Sequence, residues 1–128
     1  MPSRERLQAF IKIVEAGEFV RAIEDFYADD ASMRDNLGTP RKTRAALVAH
    51  ERAMLSRGAA IKTRPVERVL VDGDLVVINW VFDITERGGK RFVMDELAIQ
   101  RWRDDKIVAE QFYYDPAFAA PANTESRK

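Results

Sequence analysis

Three carboxylates, Asp35, Glu96 and Glu110, occur at positions where extended chain would carry them inward with apolar neighbours. In Ala31-Ser32-Met33-Arg34-Asp35 the period-2 rule sets Ala31, Met33 and Asp35 on one face, so Asp35 follows two apolar side chains. A buried Asp has its pKa raised toward neutrality and can act as a general base, provided a substrate proton comes within hydrogen-bond reach. The competing reading is a carboxylate that caps the following Asn36-Leu37-Gly38 loop by accepting backbone N–H groups. Further on, Met94, Glu96, Ala98 and Gln100 share one strand face, and Val93, Asp95, Leu97, Ile99 and Arg101 share the other. In the last strand Glu110, Phe112 and Tyr114 form a corresponding set. Carboxylates gathered in one apolar cup cannot all stay ionised, which would create an acid beside a base. The alternative is that Glu96 and Glu110 pair with Arg64, Arg68, Arg91 or Arg101 on neighbouring strands. His50, the single histidine, falls on a helix among Ala46, Leu47 and Met54. Its ring is expected at the edge of the apolar stripe, as a structural group, as a pocket acid, base or donor, or with the carboxylates in a mixed metal site. A lone histidine cannot build a three-histidine centre, and no metal or other cofactor is expected.

The elements that must position these groups can be read from periodicity and punctuation. Leu7, Phe10, Ile11, Ile13 and Val14 repeat at helical spacing until Gly17, and Glu18 to Phe26 carries Phe19, Ala22, Ile23 and Phe26 on a second stripe. This helix is expected to end at Tyr27, with Ala28-Asp29-Asp30 as an acidic turn before the strand of Asp35. Asn36 to Pro40 reads as a loop, and Thr43 is a plausible cap for a third helix to about Ser56, closed by Gly58. Four strands follow: Ile61 to Val71, Leu75 to Thr85, Arg91 to Trp102 and Ile107 to Tyr114. Turns at Asp72-Gly73, Gly88-Gly89 and Asp104-Asp105 separate them. Three helices and an antiparallel meander make an α+β fold, expected as one domain over residues 1–117 with a flexible tail at 118–128.

Composition narrows the partners. The 128 residues suit a single core, and 21 Lys plus Arg interspersed with 21 Asp plus Glu offer no field that would favour nucleic acid or an anionic membrane. The absence of cysteine removes disulfides and thiolate chemistry and fits a cytoplasmic protein. No stretch has the roughly 20 apolar residues of a membrane span. A small apolar or aromatic ligand is the expected partner. Apolar residues on outward strand positions, Val77, Val81, Leu97 and Ile99, suggest a homodimer packed sheet to sheet.

The run Phe26-Tyr-Ala-Asp-Asp-Ala-Ser-Met-Arg-Asp35 and the closing segment from Trp102 to Asp115 resemble the superfamily that holds ketosteroid isomerase, the SnoaL-like polyketide cyclases and nuclear transport factor 2. The resemblance covers nearly the whole chain. It implies a cone-shaped fold with three N-terminal helices packed on a curved antiparallel sheet around a pocket. It places Asp35 where the isomerases carry their base, and selects Met94, Glu96, Ala98 and Gln100 as the pocket face. Glu96, Glu110 and Asp35 would then share the cone, with His50 at the rim and Phe10, Tyr27, Trp80, Met94, Ala98, Phe112 and Tyr114 as pocket walls. Two departures matter. Phe10 stands where the isomerases have an oxyanion-stabilising tyrosine, and Ala98 where they have a protonated acid, so a steroid-type isomerase is disfavoured. Glu96-x-Ala98 also departs from the Arg and Asp pattern of the related limonene epoxide hydrolases. What the resemblance implies is a cofactor-independent isomerase, cyclase or lyase that uses carboxylate acid–base chemistry on an apolar oxygenated metabolite, or a non-catalytic binding or interaction module of the same fold.

Overall fold

A computed structural model describes residues 1–119. Helix α1 (Arg4–Glu15) starts where Ser3 Oγ accepts from the Arg6 N–H at 3.0 Å, and it buries Leu7, Phe10 and Val14 at helical spacing. Gly17, at φ +80°, lets the chain reverse at once into α2 (Phe19–Phe26), which buries Ala22, Ile23 and Phe26. Strand β1 (Tyr27–Asp35) follows without an intervening turn. The acidic residues expected to form a turn are extended instead. Asp29 and Asp30 lie where the register against the last strand shifts between Tyr27 and Ser32, so the segment stays in the strand yet bulges to the surface.

A two-residue strand β2 (Arg41–Lys42) pairs back onto β1 before α3 (Arg44–Leu55). The third helix follows the Asp35 strand, as expected from sequence, with the unexpected β2 inserted between them, so the three N-terminal helices are interrupted by two strands. Its predicted cap is present: Thr43 Oγ1 accepts from the Ala46 N–H at 3.2 Å. Thr43 does this at φ +80°, a costly conformation for a β-branched residue, and its N–H is also tied to the Ala31 carbonyl at 2.9 Å.

The sheet continues with β3 (Ala60–Thr63), β4 (Val69–Asp72), β5 (Leu75–Thr85), β6 (Arg91–Arg103) and β7 (Lys106–Tyr113). The expected single strand over Ile61 to Val71 is two strands. Pro65 has no N–H to give a ladder, and β3 and β4 pair with opposite ends of β5. The β4–β5 hairpin loop is Gly73-Asp74, one residue later than the expected Asp72-Gly73. The order is β2-β1-β7-β6-β5-β3, antiparallel except for the β1–β7 pair. Pro116–Ala119 form one short 3-10 turn, and the rest of the expected tail lies outside the described residues.

Helices α1 and α2 cover one half of the sheet's inner face. There Leu7, Phe10, Val14, Ala22, Ile23 and Phe26 meet Val76, Ile78, Ala98, Trp102 and Ile107 in a dry core. Phe10 is its hub, edge-on to Phe26, Tyr27, Trp80 and Trp102 at centroid distances of 5.3–6.2 Å. Among the described residues, no helix is long and apolar enough to cross a membrane.

Candidate functional site

The other half of the inner face borders a cavity of about 220 Å³. Strand pairing explains its walls. Along β6, residues 96, 98, 100 and 102 are buried and the odd-numbered ones between them exposed, so Met94, Glu96, Ala98, Gln100 and Trp102 all face inward. Register then sets Trp80 of β5 opposite Glu96, Phe82 opposite Met94, and Phe112 of β7 opposite Ala98. On β1 the same rule brings Met33 and Asp35 to the cavity, and α3 contributes His50, Glu51 and Met54 from above. Asn36 ties the strand ends at the mouth: its N–H donates to the Phe112 carbonyl at 2.6 Å, and its Oδ1 accepts from the Tyr114 N–H at 3.0 Å.

Four carboxyl groups line this cavity, those of Asp35, Glu51, Glu96 and Glu110. Glu110 is buried and doubly held: the Tyr27 hydroxyl donates to its Oε1, and Gln100 Nε2 donates to its Oε2 at 2.7 Å. Gln100 is in turn fixed by Trp102 Nε1, which donates to its Oε1 at 3.0 Å. Burial pushes the Glu110 carboxyl up to about 7, and the two donors hold it from rising further. Glu96 is only 8% exposed, and among the described residues its carboxyl has no hydrogen-bond donor and no basic side chain within ion-pair distance. Burial, and then the charges of Glu110, Asp35 and Glu51, push it up to about 8. Glu51 is also raised, chiefly by burial. The Tyr27 hydroxyl is raised well above its ordinary value, by burial and then by Glu110.

The one arginine among the lining residues, Arg41, pairs with Asp35 through Nη1 to Oδ2 at 3.1 Å. This half-exposed pair at the mouth occupies the Asp35 carboxylate. Its neighbour His50 has its pKa lowered by burial and by the Arg41 charge, so the ring is neutral near pH 7.

Asp35, Glu96, Glu110 and His50 thus border one cavity, with Phe10, Tyr27, Trp80, Met94, Phe112 and Tyr114 among its walls. Ala98 is fully buried in the core beneath and does not line it. The arginines considered as partners for Glu96 and Glu110 are not used so: Arg64 forms a two-pronged pair with Asp83 on the outside, at 2.9 and 2.7 Å. Sequence reasoning missed Glu51 and Arg41. Glu51 was detectable, since it is four residues beyond the buried Leu47 and so on the inward side of α3. Arg41 was not, because only the pairing of β2 on β1 brings it to Asp35. Among the described residues, no group of three or more His, Asp or Glu side chains is disposed to hold a metal ion.

Residues 7–110 match the family model for the SnoaL-like domain. Among solved structures, a candidate SnoaL-like polyketide cyclase from Mesorhizobium loti is 25% identical, with 86% of this chain and 97% of that one covered and a TM-score of 0.75. A candidate SnoaL-like polyketide cyclase from Jannaschia superposes with a TM-score of 0.78 at 14% identity, covering 93% and 91% of the two chains. A protein of ketosteroid isomerase-like fold from Catenulispora acidiphila, solved in complex with trimethylamine, gives a TM-score of 0.71 at 18% identity, covering 90% and 88%. No curated protein matches the sequence.

Proposed function

The chain belongs to the SnoaL-like domain family, and from that premise we propose that it acts on a compact, apolar, oxygen-bearing metabolite by cofactor-independent acid–base chemistry of the isomerase, cyclase or lyase kind. One observation carries this reading: Glu96 and Glu110 are both buried on one cavity, neither is neutralised by arginine, and their environments differ. Glu110 receives two hydrogen bonds that favour its ionised form, so with a pKa near 7 it is the base. Glu96 receives none, stays protonated at neutral pH with a pKa near 8, and is the acid. Asp35, expected from sequence to be the base, is engaged by Arg41. In this reading the pair orients the polar end of the substrate at the mouth, with His50 beside it. The cavity, somewhat below the ~300–1,000 Å³ of drug-sized pockets, suits a substrate of modest size.

The test is proton exchange at carbon. Small enolisable ketones such as cyclohex-2-enone and 2-tetralone, incubated with the protein in D2O, should lose α-protons faster than in buffer. The Glu96→Gln/Glu110→Gln double variant should return the rate to background. Exchange no faster with the wild type than with the double variant would remove the catalytic reading.

A second reading, a non-catalytic binding module, is favoured by Phe10, an apolar cavity wall, and Ala98, buried beneath the cavity, at the positions where the isomerases have their oxyanion donors. It would be supported by ligands that bind in the cavity without exchange. In either case the outward face of β6 and β7, where Val93, Leu97, Ile99 and Tyr113 are exposed, is proposed to pack against a second copy. Sedimentation at micromolar concentration should give a dimer, and a monomer would dismiss this arrangement.

A further inference from the structure

The charge inside the cavity constrains what can enter it. Of four lining carboxyl groups, Asp35 is paired with Arg41, Glu51 feels the Arg41 charge without an ion pair, and Glu96 and Glu110 form no ion pair among the described residues. Glu96 is the acute case, more than nine-tenths buried, directed into the cavity and without a partner. A neutral apolar ligand would leave that carboxyl protonated, as it is near neutral pH in the free protein, but stripped of water and without a hydrogen-bond partner. An amine can take up the proton that Glu96 holds, so that an ammonium–carboxylate pair forms where the carboxyl had no partner. The wall beside it suits one. Trp80 is the register partner of Glu96 on the adjacent strand and lies on the same face, and Phe82 stacks on Trp80 with centroids 6.3 Å apart and planes 23° apart. Phe112 and Tyr114 approach from β7 and the segment that follows it. Carboxylates together with aromatic faces stabilise an organic ammonium by charge pairing and by the ring quadrupole.

We infer that the ligand carries a basic nitrogen: a compact amine whose ammonium group sits between Glu96 and Trp80, with its apolar body against Phe82, Phe112 and Tyr114. The inference rests on the reading of this cavity as the ligand site and adds the chemical class of the ligand. In the complex the proton that Glu96 holds in the free protein has passed to the amine or been released, so Glu96 is the ammonium's ionised partner, and Glu110 keeps its two hydrogen bonds and is the group left to move a proton elsewhere on the molecule.

Benzylamine and benzyl alcohol, nearly equal in size, the first a cation and the second neutral at pH 7.5, test this by calorimetric titration of the full chain. The expected result is that benzylammonium binds at least about tenfold more tightly than the alcohol. The preference should fall to about twofold or less in Glu96→Gln, while Asp95→Asn, adjacent in sequence but on the exposed outer face of β6, keeps most of it. Thermal melting of both variants at pH 7.5 verifies that they fold, and should Glu96→Gln fail to fold, Trp80→Leu replaces it with the same expected loss. Equal or tighter binding of the alcohol, or a preference that survives both Glu96→Gln and Trp80→Leu, overturns the inference while leaving the cavity as a ligand site. If neither compound binds, the inference and the cavity reading fall together.

Discussion

The two halves of the sheet's inner face are built from the same strands and obey the same alternation, yet they are chemically opposite. Under α1 and α2, β6 presents Ala98, Gln100 and Trp102, all buried, and both polar side-chain groups are hydrogen bonded, the Trp102 N–H to Gln100 and the Gln100 amide to Glu110. Two residues earlier on the same strand and face, Glu96 is nearly as enclosed, and its carboxyl has no hydrogen-bond partner among the described residues. The difference is what lies above. Phe10 and Phe26 fill the space over the first half, whereas over the second half Val14 of α1, Ile23 of α2 and His50, Glu51 and Met54 of α3 surround an open cavity. Burial alone therefore does not distinguish core from site here. Unsatisfied burial does.

Substitutions at the two ends should separate them. The largest effect is expected from Trp102→Ala in the dry half, which removes a fully buried ring and its bond to Gln100. Urea unfolding should show a loss of about 3–5 kcal/mol with little pH dependence. The cavity half should respond in the opposite direction. Glu96 has a folded pKa near 8 against an ordinary 4.5, so between those values the folded state binds more protons than the unfolded one and stability falls as pH rises. Glu96→Gln should abolish most of that slope and make the protein more stable than wild type at pH 8.5, by an amount on the order of a few kcal/mol. A thermal melting series from pH 5 to 8.5 decides this, and a parallel slope in the variant would contradict it.

Gln100 joins the two halves, and Gln100→Leu should cost about 1–3 kcal/mol by orphaning the Trp102 N–H. It should also move Glu110 further above 7, because a donor that favours the carboxylate is gone. Carboxyl NMR of glutamate-labelled protein reads that shift. If Glu110 stays where it is, the link between core and site is only packing. The smallest effect is expected at the mouth. Arg41→Met breaks a half-exposed ion pair and should change stability by no more than about 1 kcal/mol. The His50 ring, the sole histidine signal in the spectrum, should titrate at higher pH once the nearby positive charge is removed.

Much of this architecture was legible in the residues. Helical stripes ending at Gly17 and Phe26, the Thr43 cap and strand alternation around Glu96 follow from local physics, because propensity, capping and period-2 or period-3.6 patterning act over a few residues. That alternation was enough to bring Glu96 to the same face as Met94 and Gln100, and Asp35 to that of Met33. What local pattern could not reach was which groups meet. The bulge at Asp29-Asp30 and the break at Pro65 depend on pairing with β7 and β5, strands distant in sequence. The Asp35–Arg41 pair depends on a two-residue strand, and the isolation of Glu96 depends on every neighbouring element at once. Spacing along the chain determined which side chains face inward. Only the tertiary structure decided which of those carboxylates found a partner, because desolvation and charge pairing are sums over groups that the sequence keeps far apart.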